Sequence, residues 1–210
     1  MLKLDKLREQ FQSNGIDGIL VTSPYNRRYL SNFTGSAGVV LVSNDRAVFI
    51  TDFRYMEQAS KQAEGFEIVQ HTGPIYQEVA EQAEKMGIQK LGFEKEHVTY
   101  ASYSIYRDLF KGDLIPISDI IEKLRLIKSE SEIKILKEAA DIADAAFKHI
   151  LEYIKPGLRE LDVSNELEFF MRKCGATSSS FDIIVASGSR SALPHGVASE
   201  KVIEKGDMVT

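Results

Sequence analysis

Short apolar runs alternate with polar segments of helical length through the first 120 residues, and this alternation limits the fold more strongly than any other feature. The apolar runs predict strands at 17–22, 39–42, 47–51, 66–69, 90–94 and 114–117. Helices are predicted at 75–86 and 99–110, and a glycine ends each of them. Strands separated by helices of this length are typical of an α/β layer structure.

Two of these strands are expected to form a β-hairpin. Turn residues, Ser43, Asn44 and Asp45, separate the runs 39–42 and 47–51. A hairpin makes its strands antiparallel, whereas helical crossovers make strands parallel. We therefore expect an α/β domain with a mixed sheet, covering residues 1–125. Turn formers and aromatics are mixed at 23–36, and no helix is predicted there.

A second domain is expected over residues 126–210. Ser129 and Glu132 have the spacing of a capping box, which indicates the start of a long helix. The residues expected on the buried face of this helix are Ile135, Ala139, Ile142, Ala143, Ala146, Phe147 and Ile150. A second helix at 161–173 is expected to bury Val163, Leu167, Phe170, Met171 and Cys174.

Extended structure follows these two helices. A strand is predicted at 181–187, a loop at 187–196, and a further strand from Asp207. Two helices followed by a strand, a loop and the first residues of another strand form part of an α+β domain. We expect this second domain to be incomplete in the chain.

Composition and charge exclude several classes of partner. Lys and Arg total 26 against 31 Asp and Glu, and because the signs are interleaved no basic stripe could follow a nucleic-acid backbone. The charged amino terminus does not resemble a signal peptide, and no apolar run approaches the roughly 18 residues that cross a bilayer. The single cysteine, Cys174, fits a reducing compartment. We expect a cytoplasmic protein without nucleic-acid or membrane partners.

Among the four histidines, His195 is the candidate for a functional role. It lies between Pro194, which fixes one backbone dihedral, and Gly196, which permits close approach of another group. Binding residues concentrate on loops that strand ends hold in place. Because Pro-His-Gly is a short and common tripeptide, its position alone leaves a functional and a structural role for His195 open.

The remaining patterns carry no identifiable chemistry. His71 and His97 are expected to be structural or solvated, and His149 is expected to be an exposed residue of the long helix. No zinc-type cysteine pair, helical histidine pair or phosphate-binding glycine loop occurs, and Ser187 and Ser189 lack the context of a nucleophile elbow. We assign no metal-ligating and no cofactor-binding residue.

Several motifs together resemble a known family. They are NRRYLSNFTGSAG at 26–38, TDFRY at 51–55, LRLIKSESEI at 124–133, SFDIIVASG at 180–188 and SALPHG at 191–196. In this order and at these intervals they resemble the Xaa-Pro peptidases (prolidase and aminopeptidase P) of the creatinase-like, pita-bread metallopeptidase family. Arg159 departs from the family pattern, because relatives often have a hydroxyl residue that caps the helix there, and we expect a weaker cap.

This resemblance implies a fold and a chemistry. The fold would be a creatinase-type amino-terminal domain followed by part of a pita-bread domain. The activity would be hydrolysis of the bond before proline, in a dipeptide or at a peptide amino terminus, with two divalent ions of manganese, cobalt or zinc. His195 matches the family's substrate-facing histidine, which contacts the substrate or the tetrahedral intermediate.

The resemblance also implies what this chain lacks and what else it could be. The family's metal ligands begin after position 210, so we expect a truncated chain that binds no metal and is inactive alone. Relatives are usually homodimers, and association through residues 1–120 is expected. The alternatives are a non-catalytic peptide-binding or scaffolding protein of the same fold, and a creatinase-type amidinohydrolase.

Overall fold

The computed structural model describes residues 3–210. Contacts within the chain define two compact units, of which unit one ends at Ile127 and unit two is Lys128–Thr210. Each unit has its own buried core. The core of unit two contains far fewer buried residues than the core of unit one, so its loops depend more on polar contacts.

Unit one is built on a six-stranded sheet in the order β4-β3-β2-β1-β5-β6. The strands are β1 (Gly18–Val21), β2 (Val39–Ser43), β3 (Ala47–Thr51), β4 (Glu67–Gln70), β5 (Lys90–Glu94) and β6 (Asp113–Ile117). Strand β2 is antiparallel to both of its neighbours, and the other pairs are parallel. The prediction of an α/β fold with a mixed sheet is confirmed.

The predicted hairpin joins β2 to β3 through a tight turn. The backbone amide of Ser43 donates to the Arg46 carbonyl at 2.9 Å. The Ser43 hydroxyl accepts from the Arg46 amide at 3.1 Å and donates to the Asp45 carboxylate at 2.7 Å. Polar side chains therefore satisfy the backbone groups that the turn leaves outside the strand ladder.

Both faces of this sheet are buried, which explains why its strands are continuous apolar runs. Successive side chains of a strand point to opposite faces. Ile19 and Val21 lie in one core cluster together with Phe49, and Leu20 lies in the other together with Leu41. The helices of unit one cover both clusters.

Seven helices of unit one are described, and two of them were not predicted. They are α1 (Lys3–Arg8), α2 (Phe11–Asn14), α3 (Pro24–Ser31), α4 (Met56–Gln62), α5 (Ile75–Lys85), α6 (Tyr100–Leu109) and α7 (Ile120–Leu126). No helix was predicted at α3 or at α7. The start of α3 has a recognisable signal, because the Ser23 hydroxyl accepts from the Asn26 amide and Pro24 occupies the first turn.

Unit two begins with the two predicted helices, α8 (Glu130–Tyr153) and α9 (Glu160–Lys173). The Ser129 hydroxyl accepts from the Glu132 amide, and the Glu132 carboxylate accepts from the Ser129 amide, so the predicted capping box is confirmed. The buried core of this unit consists of Ile150, Val163, Val185 and Ile203. None of the helices between residues 3 and 210 is long and apolar enough to span a membrane.

The expected buried face of α8 is buried only near its carboxyl end. Ala146 and Ile150 are buried, whereas Ile135 is 64% exposed and Phe147 is 63% exposed. Ala139 and Ala143 are exposed as well. The periodicity identified an apolar stripe, but burial also requires a packing partner. The described residues of unit two provide that partner only for the last turns.

The two strands predicted in unit two do not form. Ile184 makes an isolated antiparallel bridge with Val197, and Ser187 makes another with Val209. Beside the second bridge, Ala186 and Thr210 exchange backbone hydrogen bonds of 3.0 and 2.9 Å. The backbone is extended as predicted, but each contact is one pair long, which is too short for a strand.

Candidate functional site

The loop that carries His195, residues 187–196 and here called the His195 loop, is fixed at its base. The bridge between Ile184 and Val197 joins the chain before the loop to the chain after it. The first half of the loop is a 3₁₀ turn, Gly188–Ala192. Binding residues are often found on loops that are short and held at both ends.

His195 itself is exposed at the tip of this loop. Its carbonyl accepts from the Val197 amide at 2.9 Å. Within residues 3–210 its imidazole has no hydrogen-bonding partner, so both ring nitrogens are available to a ligand. Among the described residues the imidazole therefore has no structural role, and it is free to take a functional one.

Gly196 permits a close approach, as predicted, but the group that approaches is the chain itself. Gly196 is buried, and a Cβ atom added to it would lie 2.8 Å from the Cβ of Ala186. Real Cβ atoms do not come so close to another carbon atom. The glycine lets the loop pack onto the segment that precedes it, which fixes the backbone next to His195.

Glu160, the first residue of α9, joins the segments on both sides of the His195 loop. Its side chain has no exposed surface. One carboxylate oxygen accepts from the amide and the hydroxyl of Ser187 at 2.7 and 3.0 Å, and the other accepts from the amide and the hydroxyl of Ser199 at 3.1 and 2.6 Å. Arg190 completes the set, with its Nε 3.1 Å from the second oxygen.

These donors keep Glu160 ionised. Burial alone would raise the pKa of Glu160, but the hydrogen bonds from Ser199 and Ser187 act more strongly in the opposite direction and lower that pKa to about 2. A buried carboxylate is stable only when it is paired and fully hydrogen-bonded. The carboxylate is therefore a fixed negative charge at neutral pH and holds the loop segments together.

Arg159 does not leave the start of α9 uncapped, although its own side chain caps no helix amide. The first amide of α9 donates to the Lys201 carbonyl at 3.0 Å, and the second donates to the Ser199 carbonyl at 3.1 Å. Arg159 instead binds Asp162, with 2.6 Å between guanidinium and carboxylate. The expected weakening of the cap is thus offset by backbone carbonyls from the segment that follows the His195 loop.

A second ion pair supports the beginning of the loop. The ammonium group of Lys201 donates to the Ser187 hydroxyl at 3.0 Å and to the Asp207 carboxylate at 2.6 Å. The hydrogen bond from Lys201 lowers the pKa of Asp207. Gly188 has a positive φ of 58°, and a Cβ added there would lie 2.8 Å from the same carboxylate. Only glycine fits this position without strain.

The structure corrects two expectations about residues of unit two. His149 is half-buried and not exposed: its Nε2 lies 2.6 Å from the Glu166 carboxylate, and its ring stacks on Phe170 at 4.2 Å. It lies on the side of α8 that α9 covers. Cys174 is exposed and not buried, because α9 ends at Lys173 and the cysteine no longer follows the buried face of the helix.

The other two histidines have structural or solvent contacts. His71 Nδ1 lies 2.8 Å from the Gly73 carbonyl in the loop after β4. His97 is exposed and borders a cavity of about 130 Å³ at the carboxyl ends of β5 and β6. Neither histidine lies in the cluster around Glu160.

Unit one contains a buried carboxylate of its own, Glu94, at the end of β5. It accepts from the backbone amides of Thr22 and Ser23 at 2.6 and 2.7 Å, and from the Asn26 side chain at 2.7 Å. The Asn26 amide also donates to Glu122 at 2.6 Å. This cluster fixes the start of α3, and the sequence did not indicate it.

The described residues do not fit a metal site. Between residues 3 and 210, no group of three or more His, Cys, Asp and Glu side chains could hold a metal ion. The carboxylates of the site are already engaged: Glu160 binds two serines and an arginine, and Asp207 binds Lys201. No catalytic step through a metal can be derived from these residues.

Glu160 is the residue that sequence reasoning missed. A glutamate in the first turn of a helix is an ordinary helix-dipole partner and attracts no attention. A weak signal was present, because Ser187 and Ser199 are hydroxyl residues on either side of the His195 loop. Burial alone distinguishes Glu160 from the exposed acidic residues of the chain, and burial is a property of the fold.

The two units and the histidine-bearing loop together identify the kind of protein. A six-stranded mixed α/β unit is followed by a unit of two helices and extended segments in which a buried carboxylate holds a histidine-bearing loop. The family model of the Creatinase/Prolidase N-terminal domain matches residues 3–127, and that of Metallopeptidase family M24 matches residues 134–210. The chain belongs to the creatinase/prolidase family of metallopeptidases.

Similar proteins support this assignment. A solved structure described as an Xaa-Pro dipeptidase from Bacillus anthracis has 68% identity and a TM-score of 0.94, over 99% of this chain and 58% of that one. An X-Pro aminopeptidase from Thermotoga maritima MSB8 has 34% identity and a TM-score of 0.87, over 96% and 59%. The uncharacterized peptidase YqhT of Bacillus subtilis is 58% identical over 100% of this chain and 60% of its own length. The chain thus spans about 60% of these relatives.

Proposed function

We propose that the whole protein is a prolidase-like Xaa-Pro dipeptidase, which hydrolyses the peptide bond before proline. This proposal rests on the similarity of the chain to the Xaa-Pro dipeptidase from Bacillus anthracis, which is 68% identical over 99% of the chain. We also propose that residues 1–125 are a creatinase-like amino-terminal domain and that residues 126–210 are the first part of a pita-bread catalytic domain. The substrate is a proline-containing dipeptide or the amino terminus of a peptide.

His195 is the residue of this chain that we propose to contact the substrate or the tetrahedral intermediate. Its exposed imidazole has no hydrogen-bonding partner in the described chain, which supports this role. The loop beneath it is held by Glu160, so the ring would need little reorganisation on binding. Replacement by alanine should therefore lower kcat/KM roughly 100-fold, as the loss of one positioned donor does elsewhere.

We further propose that the whole protein uses two divalent ions, of manganese, cobalt or zinc, and works in the cytoplasm as a homodimer. Membership of a metallopeptidase family supports the use of metal. Residues 3–210 offer no ligand group, so residues 1–210 alone should be inactive. The single cysteine supports a reducing compartment.

The test is an assay of purified whole protein, stripped with a chelator and then supplied with each metal in turn. Release of proline from Xaa-Pro dipeptides is expected, and residues 1–210 serve as the matched inactive chain. Absence of release with every metal would contradict the proposed activity. Release by residues 1–210 would contradict the proposal that this chain lacks the metal site.

A second candidate is an Xaa-Pro aminopeptidase, which the likeness to the Thermotoga maritima enzyme favours. The two activities differ in substrate length. A series with the same first two residues, as a dipeptide, a tripeptide and a pentapeptide, separates them. Cleavage of the dipeptide alone supports the dipeptidase, and faster cleavage of the longer peptides supports the aminopeptidase.

A further inference from the structure

Arg190 joins the two ends of the segment that contains His195. Its Nε donates to the carboxylate of Glu160 at 3.1 and 3.3 Å. Its Nη2 donates to the carbonyl of Val197 at 2.8 Å. Val197 is two residues after His195, and Arg190 is five residues before it. One side chain therefore ties both sides of the loop tip to the buried start of α9.

Glu160 does not need Arg190 for its hydrogen bonds. Ser187 and Ser199 each donate an amide and a hydroxyl, which gives the carboxylate four hydrogen bonds without the guanidinium. If Arg190 served only to neutralise the buried carboxylate, its second contact would be superfluous. The bond to the Val197 carbonyl does nothing for Glu160 and acts only on the backbone of the loop tip.

The geometry of arginine suits this task. A guanidinium presents several N–H donors in a rigid plane, so it can hold two acceptors at a fixed separation. Lysine has a single flexible ammonium group and cannot reproduce that arrangement. The side chain of Arg190 is 31% exposed and that of Glu160 is not exposed at all, so one end of the link is anchored in the interior.

We propose that Arg190 is a positioning residue, which sets the place of the His195 imidazole by bridging Glu160 and the Val197 carbonyl. This inference rests on the proposed role of His195 and assigns Arg190 no contact with substrate. A displacement of about 1 Å at a reacting group can reduce a rate about 100-fold. The effect should therefore appear in kcat more than in KM.

The unit offers a matched control for Arg190. Arg172 also binds a glutamate through its guanidinium, with Nε and Nη2 3.0 and 2.8 Å from Glu168, and it also donates to a backbone carbonyl, that of Thr177. Its contacts lie at the end of α9 and not at the His195 loop. Arg172→Gln thus removes the same kind of interaction and leaves the loop intact.

The first test measures kinetics of the whole protein with its metal on an Xaa-Pro dipeptide. Arg190→Gln should lower kcat between 10-fold and about 100-fold, with KM within about threefold of wild type, while Arg172→Gln stays near wild type. Arg190→Lys should recover only part of kcat, since one ammonium cannot hold both acceptors. Equal kcat for Arg190→Gln and Arg172→Gln would overturn the proposal.

The second test needs no activity and uses the whole protein without added metal. Amide hydrogen exchange should become faster in Arg190→Gln at Gly196 and Val197, whose amides donate to the carbonyls of Leu193 and His195. The bonds of Arg172 lie elsewhere, so its variant should leave these two amides unchanged. Unchanged exchange in Arg190→Gln would also overturn the proposal.

His195→Ala distinguishes this inference from the proposed function. If His195→Ala has a lowered kcat/KM and Arg190→Gln has the kcat of wild type, the proposed role of His195 stands and that of Arg190 is wrong. If His195→Ala has wild-type kinetics, the role of His195 in the proposed function is wrong, and the positioning role of Arg190 is wrong with it.

Discussion

Glu94 in unit one and Glu160 in unit two are both buried carboxylates that hold a chain segment by accepting hydrogen bonds. The surroundings of the two carboxylates are very different. Glu94 accepts from Thr22, Ser23 and Asn26, which lie in one short segment next to a six-stranded sheet. Glu160 accepts from residues at 187, 190 and 199, in a unit with few buried apolar residues. In unit one the sheet already fixes the positions of the segments that Glu94 contacts. In unit two no sheet is present among the described residues, and Glu160 itself joins the segments.

A polar cluster contributes most to stability where the apolar core is small. Burial of apolar surface drives folding, and a large core tolerates the loss of a few hydrogen bonds. Unit two has single antiparallel bridges where unit one has strand ladders. Its loops therefore depend on Glu160 and on the ion pair of Lys201 with Asp207.

The largest effect is expected for Glu160→Gln. The change leaves Arg190 without its ionic partner and turns an NH₂ group toward donors from Ser187 or Ser199. Removal of one partner of a buried ion pair costs about 3 kcal/mol, and we expect unit two to lose about that much free energy of unfolding. Urea unfolding, followed by hydrogen exchange of peptides from each unit, measures it. Glu168→Gln, at an exposed pair in the same helix, is the control.

The next effect is a loss of stability in acid to which Glu160 contributes. The folded pKa of Glu160 is about 2 and its ordinary pKa is 4.5, so the folded state binds fewer protons in this window. The stability from Glu160 is then complete above pH 4.5 and is lost as the pH falls toward 2. Melting temperatures across this range should decrease more steeply for wild type than for Glu160→Gln. Parallel curves would show that Glu160 is not the titrating group.

A smaller effect is expected for Glu94→Gln. A glutamine oxygen can still accept from the amides of Thr22 and Ser23, and the sheet keeps those residues in place. The cost should be about 1 kcal/mol, that of weakened hydrogen bonds. The same exchange measurement, read on peptides of unit one and with the exposed Glu96→Gln as control, tests it. A loss equal to that of Glu160→Gln would break the comparison between the units.

The smallest effect is expected for Cys174→Ser. Cys174 is exposed after the end of α9 and takes no part in the cluster around Glu160. Its replacement should change the free energy of unfolding by less than about 0.5 kcal/mol. A thiol reagent should modify the native chain without denaturant. Slow modification of the thiol, or a decrease of more than about 1 kcal/mol in the free energy of unfolding, would show that Cys174 is protected.

The parts of the fold that the sequence predicted well are those with a local signal. All six strands of unit one lie within one residue of their expected positions at each end. The capping box at Ser129 located the start of α8. The expected burial of Ile135 and Phe147 failed for a different reason, because periodicity identifies an apolar stripe but not what covers it.

The candidate site was predictable only in part. Pro194 and Gly196 indicated His195 as the residue to consider, because proline fixes one backbone dihedral and glycine permits close approach of another group. Glu160 and Arg190 were not predictable, since their roles depend on contacts across 27 and 30 positions of the chain. A hydrogen bond at that separation leaves no periodic trace in the sequence.

Neighbouring residues and motif order are enough to predict the positions of the strands, the hairpin, the start of α8 and the family resemblance. They do not predict which carboxylates are buried, where α8 has a packing partner, or that Gly196 packs on Ala186. Burial and partners are set when distant segments meet. The free energy of a charged side chain depends on its surroundings far more than on its neighbours in sequence.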